Sequence, residues 1–212
     1  NTEVIPVHDA SNRPYRGGGC WVPCVEATPA TLRRAQYSAY LDPLRRLTLA
    51  RSILRSKLRS QQRSLALWGQ DLPEAVAFSG PFLRRVDLAR NVGELLGVEG
   101  ASGKVYFDLL RQILPPSLKF DGRNRRPPRD PVNALLSYGN SLVYALVTES
   151  LRRVPLAPAV GLLHEPAPGR NPLALDVAES IKPLTVDPAV VEVTRPEIWK
   201  AWWTEATKEG CR

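Results

Sequence analysis

A mainly α-helical fold with a short remnant of β structure ahead of it is what this sequence predicts, and three observations predict it. Leu47, Ala50, Leu54, Leu58 and Leu65 recur at helical spacing through one long element. Aspartate followed by proline, a soluble helix start, appears at Asp42–Pro43 and again at Asp130–Pro131. Only one brief apolar run, close to the amino terminus, reads as a strand. The expected division is 1–27 as the trailing strand and loop of an otherwise missing β domain, and 28–212 as a helical domain.

The first residues, VIPVHDASNRPYRGGGCWVPC, suggest a strand, a turn and a glycine-rich loop, too little sheet to stand alone. Cys20, Cys24 and His8 offer three zinc ligands without a fourth nearby, so two free thiols are the expectation. Three cysteines in all, with one close pair, do not form a secreted disulfide framework and point to a reducing compartment. No signal-peptide apolar core is visible, and the absence of methionine suggests a fragment or processed product.

The long helix that starts near Asp42 carries Arg45, Arg46, Arg51, Arg55, Lys57, Arg59 and Arg63 and no acid between Leu44 and Leu67. Solvated helix faces usually mix signs, so a single-sign face is expected to meet phosphates or an acidic partner. A second helix is expected over about 80–96, ended by Gly97 in a left-handed cap. Glu99 would then lie in the first turn of a third helix, 98–113, ahead of Pro115 and Pro116. An acid there has an ordinary reading, complementing the helix dipole. Gly100 and Gly103 would let another backbone or a nucleic acid approach.

The basic connector DGRNRRPPRD is held extended by its prolines and presents Arg123, Arg125, Arg126 and Arg129. The next helix, 131–151, is nearly apolar enough to span a bilayer. Asn133, Ser137, Asn140, Tyr144 and Thr148 give it one polar stripe, which marks a central core helix of a non-membrane protein. That stripe suits either helix–helix hydrogen bonding or support of a site. An irregular, proline-rich stretch follows, where His164 closes the run VGLL. Asn171 and Pro172 start a short helix that Pro183 is expected to stop, with Asp176 and Glu179 sharing a face.

The formal charge of +8 and a pI near 9.8 suit a polyanionic partner, although a basic surface can also serve solubility alone. Carboxylates and an imidazole on separate segments, Glu99, His164 and the pair Asp176 and Glu179, are a donor set for a divalent ion over a phosphodiester. Taken singly, each has an ordinary structural explanation.

The ordered runs EGASGKVYF, RRPPRDPVNALLSYGNSLVYALV and GLLHEPAPGRNPLALDVAE resemble the CRISPR-associated Cas1 family, the integrases of spacer acquisition. The likeness extends upstream through LRRAQYSAYLDPLRRLTLARSILRSKLRSQQ and covers roughly Ile5 to Asp187. It departs in the shortened β domain, in the tryptophan-rich end and at Asn140, where relatives often carry an aromatic residue.

The resemblance implies a helical catalytic domain of a metal-dependent DNA endonuclease and integrase, joining prespacer 3′-hydroxyl ends to repeat DNA by transesterification. Its site falls on Glu99, His164 and Glu179 as catalytic metal ligands, with Asp176 as a supporting acid and Mg²⁺ or Mn²⁺ as cofactor. Arg125 and Arg126 would join Arg55, Arg59 and Arg63 in binding DNA, with Asn133 behind the site as support. Implied partners are double-stranded DNA, a second copy in a homodimer, Cas2 and a Cas4 nuclease, in a prokaryotic cytoplasm and without a membrane. A metal-dependent nuclease lacking strand transfer, and a non-catalytic DNA-binding assembly subunit, are the alternatives.

Overall fold

The computed structural model describes residues 30–124, 127–198 and 200. The expected β remnant, Cys20, Cys24, Arg125, Arg126 and the tryptophan-rich end therefore lie outside the described residues. Among those described there is no strand, and the chain is helical as the sequence predicts.

Helix α1 (Ala30–Leu41) leads directly into α2 (Pro43–Trp68). Asp42 caps α2 as expected, accepting from the amides of Leu44 (3.0 Å) and Arg45 (3.2 Å). Leu47, Ala50, Leu54, Leu58 and Leu65 form its buried stripe, as their spacing requires. Against that stripe pack α4 (Ser79–Leu88) and α5 (Val92–Ile113), reached through the single turn α3 (Pro73–Val76).

Two expectations about helix ends are corrected. The break falls at residues 89–91, not at Gly97, which is interior to α5. Asn91 accepts from the Glu94 amide (2.9 Å) while Glu94 accepts from the Arg90 amide (2.8 Å), a reciprocal cap that outweighs a mid-helix glycine. The final helix, α7 (Pro172–Val193), likewise runs straight through Pro183 and Pro188. An interior proline costs about 3 kcal/mol and deletes one backbone bond, here the one to the Glu179 carbonyl. The penalty is offset by burial, because α7 packs on both α2 and α6 (Pro131–Arg152) through Leu173, Ala174, Ala178, Pro183, Val186, Val190 and Val191.

Helix α6 starts as expected, with Asp130 accepting from the Asn133 amide (2.8 Å), but it is not the central helix. The centre is shared by α2 and α7, and α6 lies outside α7 with Tyr138, Leu142 and Leu146 exposed. Close approach is possible because Gly139 has no Cβ: one would stand 2.6 Å from Cγ1 of Val186. No helix among the described residues is long and apolar enough to cross a membrane.

Candidate active site

Three of the helices just described converge on one buried ammonium. Lys57, on α2, donates to Oε1 of Glu99 on α5 and, at 2.9 Å, to Oε2 of Glu179 on α7. Its place in the sequence puts Lys57 on the basic face expected to meet phosphates or an acidic partner; instead its side chain is 10 % exposed, like that of Glu179. Burial alone would lower the lysine pKa, but the charges of Glu179 and Glu99 outweigh it and hold it above its ordinary value. In Glu179, burial favours the neutral acid, and the charges of Lys57 and then His164 reverse this, so its pKa is lowered. Glu99 is not at a helix start; it sits well inside α5, so the dipole explanation does not apply to it.

His164 and Asp176 form a second unit beside this one. Asp176 is fully buried and accepts from the amides of Leu162 (2.7 Å), Leu163 (3.0 Å) and His164 (3.1 Å). Its Oδ1 also takes Nδ1–H of His164 at 2.7 Å. A carboxylate can only accept, so the proton is on Nδ1, and Nε2 is left for other use. Burial lowers the imidazole pKa, yet the hydrogen bond to Asp176 and the charges of Glu179, Asp176 and Glu99 raise it overall. The loop carrying His164 closes tightly at Gly161, where a Cβ would lie 2.5 Å from the His164 carbonyl oxygen and 2.7 Å from Cβ of Pro172.

A cavity of about 510 Å³ opens beside the Lys57 cluster. Glu99, Glu179 and Lys57 stand on its wall together with Lys104, Arg123, Lys182 and Asp187. His164 is not on that wall; it reaches Glu99 and Glu179 through their fields. Asp187 is held by Tyr106, whose hydroxyl donates at 2.7 Å, and burial pushes its pKa up to about 6. Gly100 and Gly103 line the cavity too, and nothing lies within 4 Å of where their Cβ atoms would be.

The remaining predicted residues are distributed differently from the expectation. Arg55, Arg59 and Arg63 lie about half a turn round α2 from Lys57 and Gln61, at 100° per residue, so they face away from the cavity. Arg59 and Arg63 are exposed, while Arg55 pairs with Asp87 of α4. The acid-free helix is thus partly neutralised in space: Arg46 also pairs with Glu165, at 2.7 Å. Asn133 is buried and pins the connector, accepting from Arg123 Nη1 (2.8 Å) and the Asn124 amide (2.9 Å) and donating to the Gly122 carbonyl (2.9 Å). Ser137 accepts from the same Arg123, at 3.1 Å. The polar stripe of α6 therefore fixes an arginine of the cavity wall, and Tyr144 accepts the Asn171 amide at the start of α7 (2.9 Å). The Asn171 side chain itself makes no cap.

Sequence reading missed Lys57, Lys104, Lys182 and Asp187. Lys182 follows Glu179 by three residues on the face that Asp176 begins, a signal available in the sequence. Among the described residues no three His, Cys, Asp or Glu side chains stand close enough to hold an ion as they are. The donor chemistry nevertheless suits a hard divalent ion, since Glu99 and Glu179 already share one cation and His164 keeps Nε2 in reserve.

Fold and site together define a class: a helical domain that gathers carboxylates and an imidazole beside a cavity lined by both acids and cations. The model of the CRISPR associated protein Cas1 family matches residues 4–212, and the chain belongs to that family. It is 31 % identical to a CRISPR-associated endonuclease Cas1 of Methanothermobacter thermautotrophicus, over 94 % of this chain and 58 % of that protein. A Cas4 exonuclease/Cas1 endonuclease fusion of Leptospira interrogans is 32 % identical over 93 % of this chain and 40 % of its own length. The chain thus spans little more than half of these relatives, or less. Among solved structures it is similar to a Cas1 protein from Thermotoga maritima (TM-score 0.72, 28 % identity, 81 % of this chain, 54 % of that one). A casposase bound to integration product also matches (0.72, 30 % identity, 79 % and 48 %), as does a Cas6-RT-Cas1–Cas2 complex (0.68, 25 % identity, 75 % and 18 %).

Proposed function

We propose that this chain carries the chemistry of a metal-dependent DNA integrase of CRISPR spacer acquisition, joining prespacer 3′-hydroxyl ends to repeat DNA. The observation that supports it best is the cavity wall on which Glu99 and Glu179 face one cation, with Lys104, Arg123 and Lys182 around the same space. Carboxylates and cations interleaved on one wall, which also carries Asp108, Asp121 and Asp187, suit a phosphodiester approached through a divalent ion.

Mg²⁺ or Mn²⁺ held by Glu99, Glu179 and Nε2 of His164 would supply the Lewis acidity that polarises the scissile phosphate. Asp176 fixes the tautomer and the ring orientation of His164. Lys104, Arg123 and Lys182 bind phosphate oxygens and offset the charge that gathers on them. Gly100 and Gly103 leave α5 bare where a sugar–phosphate strand would run. In the step itself, the prespacer 3′ oxygen forms a bond to phosphorus while the bond from phosphorus to the repeat strand's 3′ oxygen breaks. One proton leaves the attacking hydroxyl and one reaches the leaving oxygen, so nothing is oxidised or consumed.

The likeness to a casposase bound to integration product favours strand transfer over cleavage alone. The Cas1–Cas2 complex and the Leptospira fusion suggest Cas2 and a Cas4 nuclease as partners; a homodimer with a second copy of this chain is part of the proposal and rests on the family resemblance alone. Exposed Arg59 and Arg63, turned from the cavity, suit a second contact with duplex backbone. Arg125 and Arg126, outside the described residues, are proposed as further DNA contacts on the family resemblance.

The test is a strand-transfer assay on a repeat-containing plasmid, with Mn²⁺, Mg²⁺ or chelator and with or without Cas2. Joined products that need the metal and vanish in Glu99→Ala, His164→Ala and Glu179→Ala are expected. Cleaved products only would make the protein a nuclease without strand transfer. Full joining by all three variants would remove the site assignment.

A further inference from the structure

Lys57 is the residue that the proposed chemistry does not use, and it stands in the middle of the site. Its ammonium touches both carboxylates that the metal reading needs, from α2, the helix that packs on both α5 and α7. Leu54 and Leu58, its neighbours on the helix, are fully buried and hold the backbone in place. The four-carbon side chain is not held in this way, because the cavity opens beside it. One helical turn on, Gln61 stands on the same wall, and its Oε1 is buried with no hydrogen-bond partner among the described residues. A buried amide oxygen without a donor is costly to keep. An ammonium moving four residues along α2 would satisfy it.

We propose that Lys57 is a built-in counter-cation. In the metal-free protein its ammonium holds Glu99 and Glu179 together; when a divalent ion takes the same oxygens it is displaced towards Gln61. The inference rests on Glu99 and Glu179 being metal ligands, and adds that ion and lysine are competitors. Buried Glu179 and half-buried Glu99, facing each other without a cation, would repel, so Lys57 keeps the site assembled before the ion arrives. A dication and an ammonium cannot both occupy the gap, because the repulsion between them is strong away from bulk water.

Manganese uptake by the full chain, followed as loss of the free Mn²⁺ resonance signal, measures the competition directly. Lys57→Gln should bind Mn²⁺ about tenfold more tightly than wild type, within the usual range of coupling between mutually exclusive ligands. Glu99→Gln and Glu179→Gln should lose it. Equal or weaker uptake by Lys57→Gln, with loss in the glutamate variants, overturns the competition while leaving the metal site intact. No uptake by wild type or any variant overturns the metal reading itself. Should Lys57→Gln not fold, wild type with ¹³Cε-labelled lysine is titrated with Mg²⁺. One lysine resonance should move with one-to-one stoichiometry, and its failure to move while Mg²⁺ binds also overturns the proposal.

Discussion

Nδ1 of His164 donates to Oδ1 of Asp176 at 2.7 Å, and the same carboxylate accepts the backbone amides of Leu162, Leu163 and His164. Asp176 therefore builds the loop as well as aiming the ring. With all its contacts turned inward and no exposure, it supports a ligand and is not itself placed to be one. Asp176→Ala would strand three amides, that of Leu163 buried and those of Leu162 and His164 partly so, and is expected to destabilise the fold by about 3 kcal/mol. Denaturant unfolding checks this. An unchanged midpoint would mean that the loop is held elsewhere.

Manganese binding should strengthen as pH rises. Against the effect of burial, the hydrogen bond to Asp176 and the charges of the nearby carboxylates hold the His164 pKa above its ordinary value, so the metal-free ring keeps its second proton to higher pH than a free imidazole would. The sign for stability follows: this group's contribution is full below the unfolded value of about 6.5 and is lost as pH rises through the higher folded value. A bound ion needs the Nε2 lone pair, so uptake must release that proton. Calorimetry in buffers of different ionisation heat should show proton release from wild type and less of it from His164→Ala. Equal release from the two proteins would remove His164 from the ligand set.

Asp187→Asn should stabilise the protein at neutral pH and leave it unchanged in acid. Burial raises this carboxyl from 3.8 to about 6, so the fold prefers its protonated form. The folded state then holds the proton longer than the unfolded chain, and stability from this group falls as pH rises from about 4 to about 6. Above that range the ionised acid weakens the fold by up to roughly 3 kcal/mol. Asparagine removes the charge and can still accept from Tyr106, 2.7 Å away in wild type. Thermal midpoints of the two proteins across pH should diverge only above about pH 4. A constant difference would place the effect in packing.

The helices were legible where sequence and packing agree. Asp42–Pro43 and Asp130–Pro131 start α2 and α6 in the structure as in the sequence, because their caps are satisfied locally. Asn91 with Glu94 is as clear a start signal, and it outweighs Gly97, because a single glycine costs little inside a well-packed helix. Pro183 misled for the opposite reason: its cost is local, and the burial that outweighs it comes from α2 and α6. Lys57 was unreadable, since the acids that bury it lie 42 and 122 residues away. Glu99, His164, Asp176 and Glu179 stand out in the sequence as candidates, and the family resemblance ranks Asp176 as a supporting acid, but no spacing reveals the backbone amides through which Asp176 holds the His164 loop.

Gly100→Ala should separate folding from function. Gly100 is exposed in the interior of α5, and nothing lies within 4 Å of where its Cβ would stand. Alanine there is expected to stabilise the helix by about 0.5–1 kcal/mol, through propensity and a less mobile unfolded chain. The same methyl group would project beside the cavity that holds Glu99, where the proposed strand passes. Strand transfer should therefore fall severalfold while the thermal midpoint rises. Gly97→Ala supplies the control, because Gly97 is equally open and does not line the cavity. If Gly100→Ala gains stability and joins DNA as well as Gly97→Ala, the backbone of α5 is not the surface that the DNA approaches.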